Sequence, residues 1–484
     1  MDHQNERYGG GRATPGPGPG LGPGDLPTRA AETALLLKIA LPLIAAYLAE
    51  VAMFVTTKVV VGRLGYHELA AVGLAGGLSF EVLIILMGLL SIVGVLVAQA
   101  EGAGRKRDAG HAVRQGFIVA TALGLPATVL VWNLAPLLAL SGQDPRVIEL
   151  AAPYLHGLAG FVLPVLWFSV LRSFVAALAR TGAVMVISVV AVALNYVLTL
   201  GLVHGAFGLP ELGLAGAGWA TTLVSWVMLT ALALYAYRTP GLRGYGLFLG
   251  RLRFDLPACA EIARLGLPVA GLVLLEAGLF ITVSILSGVL GAESLAAYEV
   301  LMGWIGIPFV IALGLAEATM VRVAYGVGRG GLAASRQAGL LGMAMGVAIL
   351  GLLVAVPLGF PELIARVFLE PGDPGFARVA ALSAQLLVIA AVFQVFDGLQ
   401  AIASRALRGI RDTLAPLWLA GFGYWVLGIG GGCLLAFPAG LGAAGLWWGL
   451  GCGLIVTGSL LAWRFLKLTT RAAPVRHPFE DQDL

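Results

Sequence analysis

Hydrophobic positions in this chain run in long blocks, not in the alternation of a half-buried strand or the three-four spacing of a surface helix. Twelve blocks of roughly 22–33 residues recur, at 35–61, 66–98, 111–140, 146–178, 183–205, 213–237, 257–289, 293–325, 335–358, 376–408, 412–436 and 441–467. Each is long enough to cross a hydrocarbon core of ~30 Å, several with tilt to spare. The pattern predicts an all-α integral membrane protein with twelve transmembrane helices.

The blocks repeat. Displaced by 226 positions, Leu41-Pro42 falls on Leu267-Pro268, Glu50 on Glu276 and Phe54 on Phe280. Gly62-x-Leu64-Gly65 then falls on Gly288-x-Leu290-Gly291, and Gly102-x-Gly104 on Gly328-x-Gly330. About 20 of the 67 positions from Lys38 to Gly104 are identical at this offset without a gap. With slight drift, Arg180 pairs with Arg408 and Leu212-Gly213-x-Ala215-Gly216 with Leu441-Gly442-x-Ala444-Gly445. Each copy holds six spans, so both enter the membrane in the same direction. Two parallel six-helix lobes around a central cavity are expected, related by an axis along the membrane normal. The expected organisation is a Gly/Pro-rich cytoplasmic tail (1–30), an N-terminal lobe (31–237), a cytoplasmic linker (238–256), a C-terminal lobe (257–470) and a cytoplasmic tail (471–484). The first tail has too little apolar content to build a core and is read as disordered, with no signal peptide before the first span.

Composition agrees: 59% of residues are hydrophobic and 12% charged, far from a soluble domain. Sixty-eight glycines suit close packing between membrane helices. With both termini in the cytoplasm, the basic residues crowd onto cytoplasmic segments, among them Arg105-Lys106-Arg107, Arg251, Arg253, Arg329, Arg408 and Arg411. The opposite side keeps Arg63, Arg146, Arg366 and Arg378. The pI near 9.0 is thus topology and calls for no nucleic-acid partner. The three cysteines imply no disulfide framework.

Charge within hydrocarbon is costly, so each mid-span ionisable residue is a candidate for function. Glu276 stands in the middle of its span with no basic residue there to neutralise it; such a carboxyl either carries a proton or finds a cation. Asp397 is the second mid-span acid of the same lobe, and its repeat partner is Ser169, so the lobes differ there. Glu50, Glu81 and Glu317 are further cavity acids, each alternatively a neutral, hydrogen-bonded group. Lys58 either snorkels outward or reaches Glu50 along the same helix and holds it ionised; Arg172 is expected to pair with a carbonyl or an acid. Asn195 either bridges helices or lines a cation path.

No P-loop, HExxH spacing or nucleophile elbow is present, so neither ATP-driven export by this chain nor an enzyme is indicated. Energy must come from an ion gradient or the substrate's own.

With these residues assembled, the chain resembles the MATE (multidrug and toxic compound extrusion) family, closest to its NorM-type bacterial branch. The likeness covers roughly residues 35–467 and rests on Gly62-Arg-Leu-Gly with Glu68-Leu-Ala-Ala, Val97-Ala-Gln-Ala-Glu-Gly-Ala-Gly104, Leu171-Arg-Ser-Phe, Leu212-Gly-Leu-Ala-Gly-Ala-Gly-Trp-Ala-Thr221 and Arg322-Val-Ala-Tyr-Gly. It implies antiport of organic, often cationic compounds against H⁺ or Na⁺ by rocking lobes. Glu276 matches the family's acid on the seventh helix and Asp397 its aspartate on the tenth, while Asn195 and Thr221 match polar positions of the N-lobe site. The sequence departs where the family's first-helix Asp position holds Thr57, followed by Lys58, and where Thr199 replaces a second N-lobe aspartate. Glu50 lies seven residues before Thr57, only ~20° away around the helix, and offers a partial replacement.

The expected partners are a small organic substrate and membrane lipid, with no cofactor, no structural metal and a monomeric state, in the plasma membrane. A lipid-linked oligosaccharide flippase of the same superfamily is the alternative, disfavoured because mid-span acids outnumber bases. A membrane-embedded lipid-modifying enzyme would need a His, Asp or Ser cluster at one face, which the sequence lacks.

Overall fold

The computed structural model describes residues 27–140, 144–247, 253–368 and 376–470. The calls on the first 26 residues, on the 471–484 tail and on Gly250 and Arg251 of the linker lie outside them. Among the described residues, twelve helices are long and apolar enough to cross a membrane. They are α1 (Arg29–Val61), α2 (Tyr66–Gly102), α3 (Lys106–Trp132), α4 (Pro145–Ala177), α5 (Gly182–His204) and α6 (Leu214–Arg238). The second six are α7 (Leu256–Val289), α8 (Ala292–Gly328), α9 (Leu332–Gly359), α10 (Phe376–Gly409), α11 (Leu414–Ala436) and α12 (Gly442–Thr470). An apolar solvent offers backbone groups no partner, so helices that satisfy their own N–H and C=O are what such blocks must form.

Some helix ends and one helix interior differ from the hydropathy reading. Helix α1 begins at Arg29, so Arg29 and Ala30 are not tail: the Thr28 hydroxyl accepts from the Ala31 N–H at 3.3 Å, and Glu32 in the first turn complements the helix dipole. The third block breaks at Asn133, whose side-chain amide donates to the Val129 carbonyl at 2.8 Å, and resumes as a short helix at Leu134–Ala139. Helix α11 widens into a π-helix over Phe422–Gly430. In the linker, Pro240–Arg243 forms a single helical turn.

Helices α1–α6 pack chiefly on one another and α7–α12 likewise; the halves meet where α1 lies on α8 and α2 lies on α7 and α8. The core shows where this seam sits. One apolar cluster fills the first half and continues into the second only through the start of α7 (Ile262, Val269), the end of α8 (Leu315–Ala324), the start of α9 (Ala338) and the ends of α10 and α12 (Ile402, Leu407, Leu461, Phe465). A second cluster, around Leu279, Tyr298, Phe393, Tyr424 and Trp447, belongs to the other end of α7–α12 alone. The halves are therefore joined at one membrane face, the face at which α1 begins and α8 ends.

Polar groups seal that joined end. Arg322 on α8 grips Glu32 on α1 through Nε and Nη2, both at 2.7 Å. Arg411 donates to the Gln99 side-chain oxygen at 2.7 Å and to Glu261 at 2.6 Å, and the Gln99 amide donates to the Gly409 carbonyl at 3.0 Å. At the crossing of α2 and α8, a Cβ on Gly102 would strike the Tyr325 carbonyl and one on Gly328 the Gln99 carbonyl. These glycines are a pair aligned by the sequence repeat, and the contact is reciprocal. Just beyond, Gly104 and Gly330 turn the chain with φ of +73° and +80°, which a side chain would resist.

Candidate functional site

A cavity of about 950 Å³, its mouth included, lies within the first six helices. Phe54, Phe80, Phe161, Phe168, Met53 and Met87 give it an apolar wall. Of the residues singled out in the sequence, Glu50, Thr57, Asn195, Thr221 and Arg172 line it. The lining of this pocket does not include Glu276 or Asp397.

Its floor is an ion pair. Arg172 on α4 donates through Nη1 to Glu50 Oε1 on α1 at 2.7 Å, with 10% and 22% of the two side chains exposed. The guanidinium lies 5.0 Å from the Tyr47 ring and 6.0 Å from Phe168. Such a pair persists in a dry surrounding because each charge would be worse off alone. The expectation that Lys58 reaches Glu50 is not met: its ammonium sits over the Phe54 ring at 4.4 Å, one turn back on its own helix. A long side chain near a helix end follows the ring outward, and Glu50 is already held from across the bundle.

The polar groups around this pair are spent locally. The Asn195 amide donates to the Met53 carbonyl at 3.2 Å and to Thr57 Oγ1 at 2.9 Å, and Thr57 donates to the same carbonyl at 3.0 Å. Asn195 therefore pins α5 onto α1. Thr221 donates to the Ala217 carbonyl within its own helix at 3.1 Å. Thr199, at the position of the missing aspartate, is buried with its hydroxyl unpartnered.

The second half holds the other acids. Glu276 on α7 and Asp397 on α10 lie within electrostatic range of each other, and the buried Tyr424 of α11 is within electrostatic range of both. Among the described residues Glu276 forms no salt bridge; its charged neighbours are Arg405, Arg408 and, from the first half, Glu81 on α2. Several buried polar atoms nearby in the chain lack hydrogen-bond partners: Tyr424 Oη, Gln394 Nε2 and Gln400 Oε1. Glu317 is an ion-pair partner of Arg405 at 3.7 Å, and Arg408 donates to Ser91 of α2 at 2.8 Å. Tyr47 is within electrostatic range of Arg172, Glu50, Glu317 and Arg405.

The structure thus brings Glu276 and Asp397 together, gathers Glu50, Thr57, Asn195 and Thr221 in a separate pocket, and leaves Lys58 outside both. Sequence reading passed over Tyr47, Arg405 and Tyr424. Arg405 had a signal, one turn before Arg408; Tyr424 had none, because its placement depends on the π-helical turn.

Comparison with known proteins follows this geometry. The family model MatE matches residues 42–200 and 268–434, beginning at Pro42 and again at Pro268. The probable multidrug resistance protein NorM of Pseudomonas aeruginosa is 40% identical over 445 residues, covering 92% of this chain and 91% of that protein. The multidrug resistance protein NorM of Burkholderia vietnamiensis is 38% identical over 457 residues, covering 94% and 97%. Among solved structures, the eukaryotic MATE transporter AtDTX14 superposes with a TM-score of 0.81 at 24% identity, over 91% of this chain and 98% of that one. An outward-facing MATE family transporter gives 0.82 at 20% identity, over 91% and 97%.

Proposed function

This chain belongs to the MatE family of membrane transporters, and from that premise we propose that it exports small organic amphiphiles across the bacterial plasma membrane, in exchange for H⁺ or Na⁺. In this reading both termini are cytoplasmic and the protein works as a monomer. Residues 31–237 and 257–470 rock as two lobes about the 238–256 linker. The substrate occupies the N-terminal cavity and the coupling ion the Glu276–Asp397 site.

The observation that carries this division is an asymmetry between two aligned acids. Glu50 is neutralised by Arg172 in an apolar, aromatic-walled cavity. Glu276 has no salt-bridge partner among the described residues and a second acid, Asp397, within electrostatic range. An acid free of a fixed counter-ion is the one able to exchange a mobile one. Under the positive-inside orientation the joined face is cytoplasmic, so the cavity would release substrate outward.

The test is efflux of a fluorescent substrate from vesicles holding the purified protein, under an imposed pH gradient or Na⁺ gradient, each alone. Transport driven by one of them and abolished in Glu276→Gln supports the reading; transport needing neither gradient overturns it.

A further inference from the structure

Arginines enclosed by the helices differ in how firmly they are held. Arg172 and Glu50 meet at 2.7 Å, Arg322 and Glu32 at 2.7 Å, and Arg411 and Glu261 at 2.6 Å. Arg408 on α10 donates to the Ser91 hydroxyl at 2.8 Å. Arg405, one turn earlier on α10, is different. Its contact with Glu317 of α8 is 3.7 Å long, beyond hydrogen-bond reach, although only 20% and 12% of the two side chains are exposed. The Arg405 Nε is buried without a partner, and among the described residues neither Arg405 nor Glu317 makes a side-chain hydrogen bond. A guanidinium carries five donors, and leaving them unmade in an enclosed place is costly. Arg405 is also within electrostatic range of Glu276 on α7. The other charged or titratable groups in range of Glu276 are Arg408 and Asp397 on α10, Glu81 on α2 and Tyr424 on α11. Of the two arginines, Arg408 is tied to Ser91, and Arg405 is the one that no hydrogen bond fixes.

We propose that Arg405 is an internal counter-ion that moves between Glu317 and Glu276 during the transport cycle. It turns to Glu276 when the coupling ion has left and back to Glu317 when that ion binds. This rests on the reading above that Glu276 carries the coupling ion. A carboxylate stripped of its ion in an apolar surrounding is unfavourable, and a cation already inside the protein lowers that cost. Arg405 therefore competes with the coupling ion and eases its release. Glu317 sets the strength of that competition by holding the arginine when the ion is bound. The two residues should act on ion affinity in opposite directions.

The test uses the full-length protein in vesicles loaded with a fluorescent dye. Efflux is followed as external Na⁺ is varied at fixed pH, and as external pH is varied without Na⁺. The ion on which the rate depends gives a half-saturating concentration and a maximal rate. Arg405→Met should lower the half-saturating concentration about tenfold, the effect of removing a nearby positive charge, and should lower the maximal rate because release slows. Glu317→Gln should raise it about tenfold, since the arginine then stays on Glu276. Arg405→Lys should lie closest to wild type. Because Arg405→Met leaves Glu317 enclosed and alone, the Arg405→Met/Glu317→Gln double variant is measured as well, and it should follow Arg405→Met. A purely structural role would reduce the maximal rate without opposite shifts in half-saturation. An unchanged or raised half-saturating concentration in the double variant, or an unchanged or lowered one in Glu317→Gln, overturns the proposal. Glu276→Gln is run in parallel. If it still responds to the ion, the earlier reading fails and this inference with it. If it abolishes ion-driven efflux while half-saturation in the double variant stays at the wild-type value, only the role of Arg405 falls.

Discussion

Arg172 on α4 donates to Glu50 on α1 at 2.7 Å, whereas the acid aligned with Glu50 in the second half, Glu276, has no salt bridge among the described residues. Under the repeat's later offset the position matching Arg172 is Gln400, whose side-chain oxygen is buried without a partner. One substitution of chemistry between copies separates a fixed ion pair from an acid that has no salt bridge among the described residues.

The fixed pair should be needed for stability. Arg172→Met leaves a carboxylate largely enclosed and alone, which costs about 3–5 kcal/mol when a buried pair loses one member. The double variant with Glu50→Gln should recover most of the loss. Thermal unfolding of the purified variants, arranged as a double-mutant cycle, measures the coupling; strictly additive losses would show that the two groups do not act as a pair.

Glu276→Gln should abolish ion-driven efflux while leaving expression and dye binding in place. Asp397→Asn should slow it, and the double variant should be little worse than the more damaging single one, since both acids serve one site. Rates from loaded vesicles decide this, and near wild-type efflux in Glu276→Gln would sink the assignment.

Lys58→Met should be nearly silent. The ammonium rests on Phe54 at 4.4 Å, a contact worth about 0.5–1 kcal/mol at most in a partly exposed place, and it does not touch Glu50. The pH profile of transport should therefore match wild type. A displaced profile would mean that Lys58 reaches an ion-carrying acid in another conformation.

At the joined face, Glu32→Gln should loosen the seam. Glu32 is 1% exposed and bound through both oxygens by Arg322, so the change removes a buried cross-half pair and favours states in which that face is open. An Ala40→Cys probe, at a position 1% exposed in the seam, should react about tenfold faster with a water-soluble maleimide in the Glu32→Gln background. The three native cysteines are replaced first. Unchanged reactivity would show that the pair does not hold the face shut.

The helices were legible because length and hydropathy alone decide what can cross a bilayer, and the twelve blocks stand in the structure with ends moved by a few residues. The moved ends trace to single hydrogen bonds, such as that of Thr28, which hydropathy does not register. The acids of the site were legible for a related reason: a charge in such a block is conspicuous. Their partners were not. Glu50 and Arg172 are 122 positions apart on different helices, and a search along one helix offers Lys58 instead. Tyr424 was hidden further still, because the π-turn in α11 alters which side chains face α7 and α10.

The reciprocal crossing of Gly102 and Gly328 has the form of an isologous dimer contact made within a single polypeptide. Each backbone presses on the other at matched points, so the two glycines are not two independent sites but one joint met from both sides. A methyl group added at either should wedge the same helices apart by the same mechanism. The chain is in this respect a dimer of its own halves: a single lesion there injures a twofold element that has no spare copy.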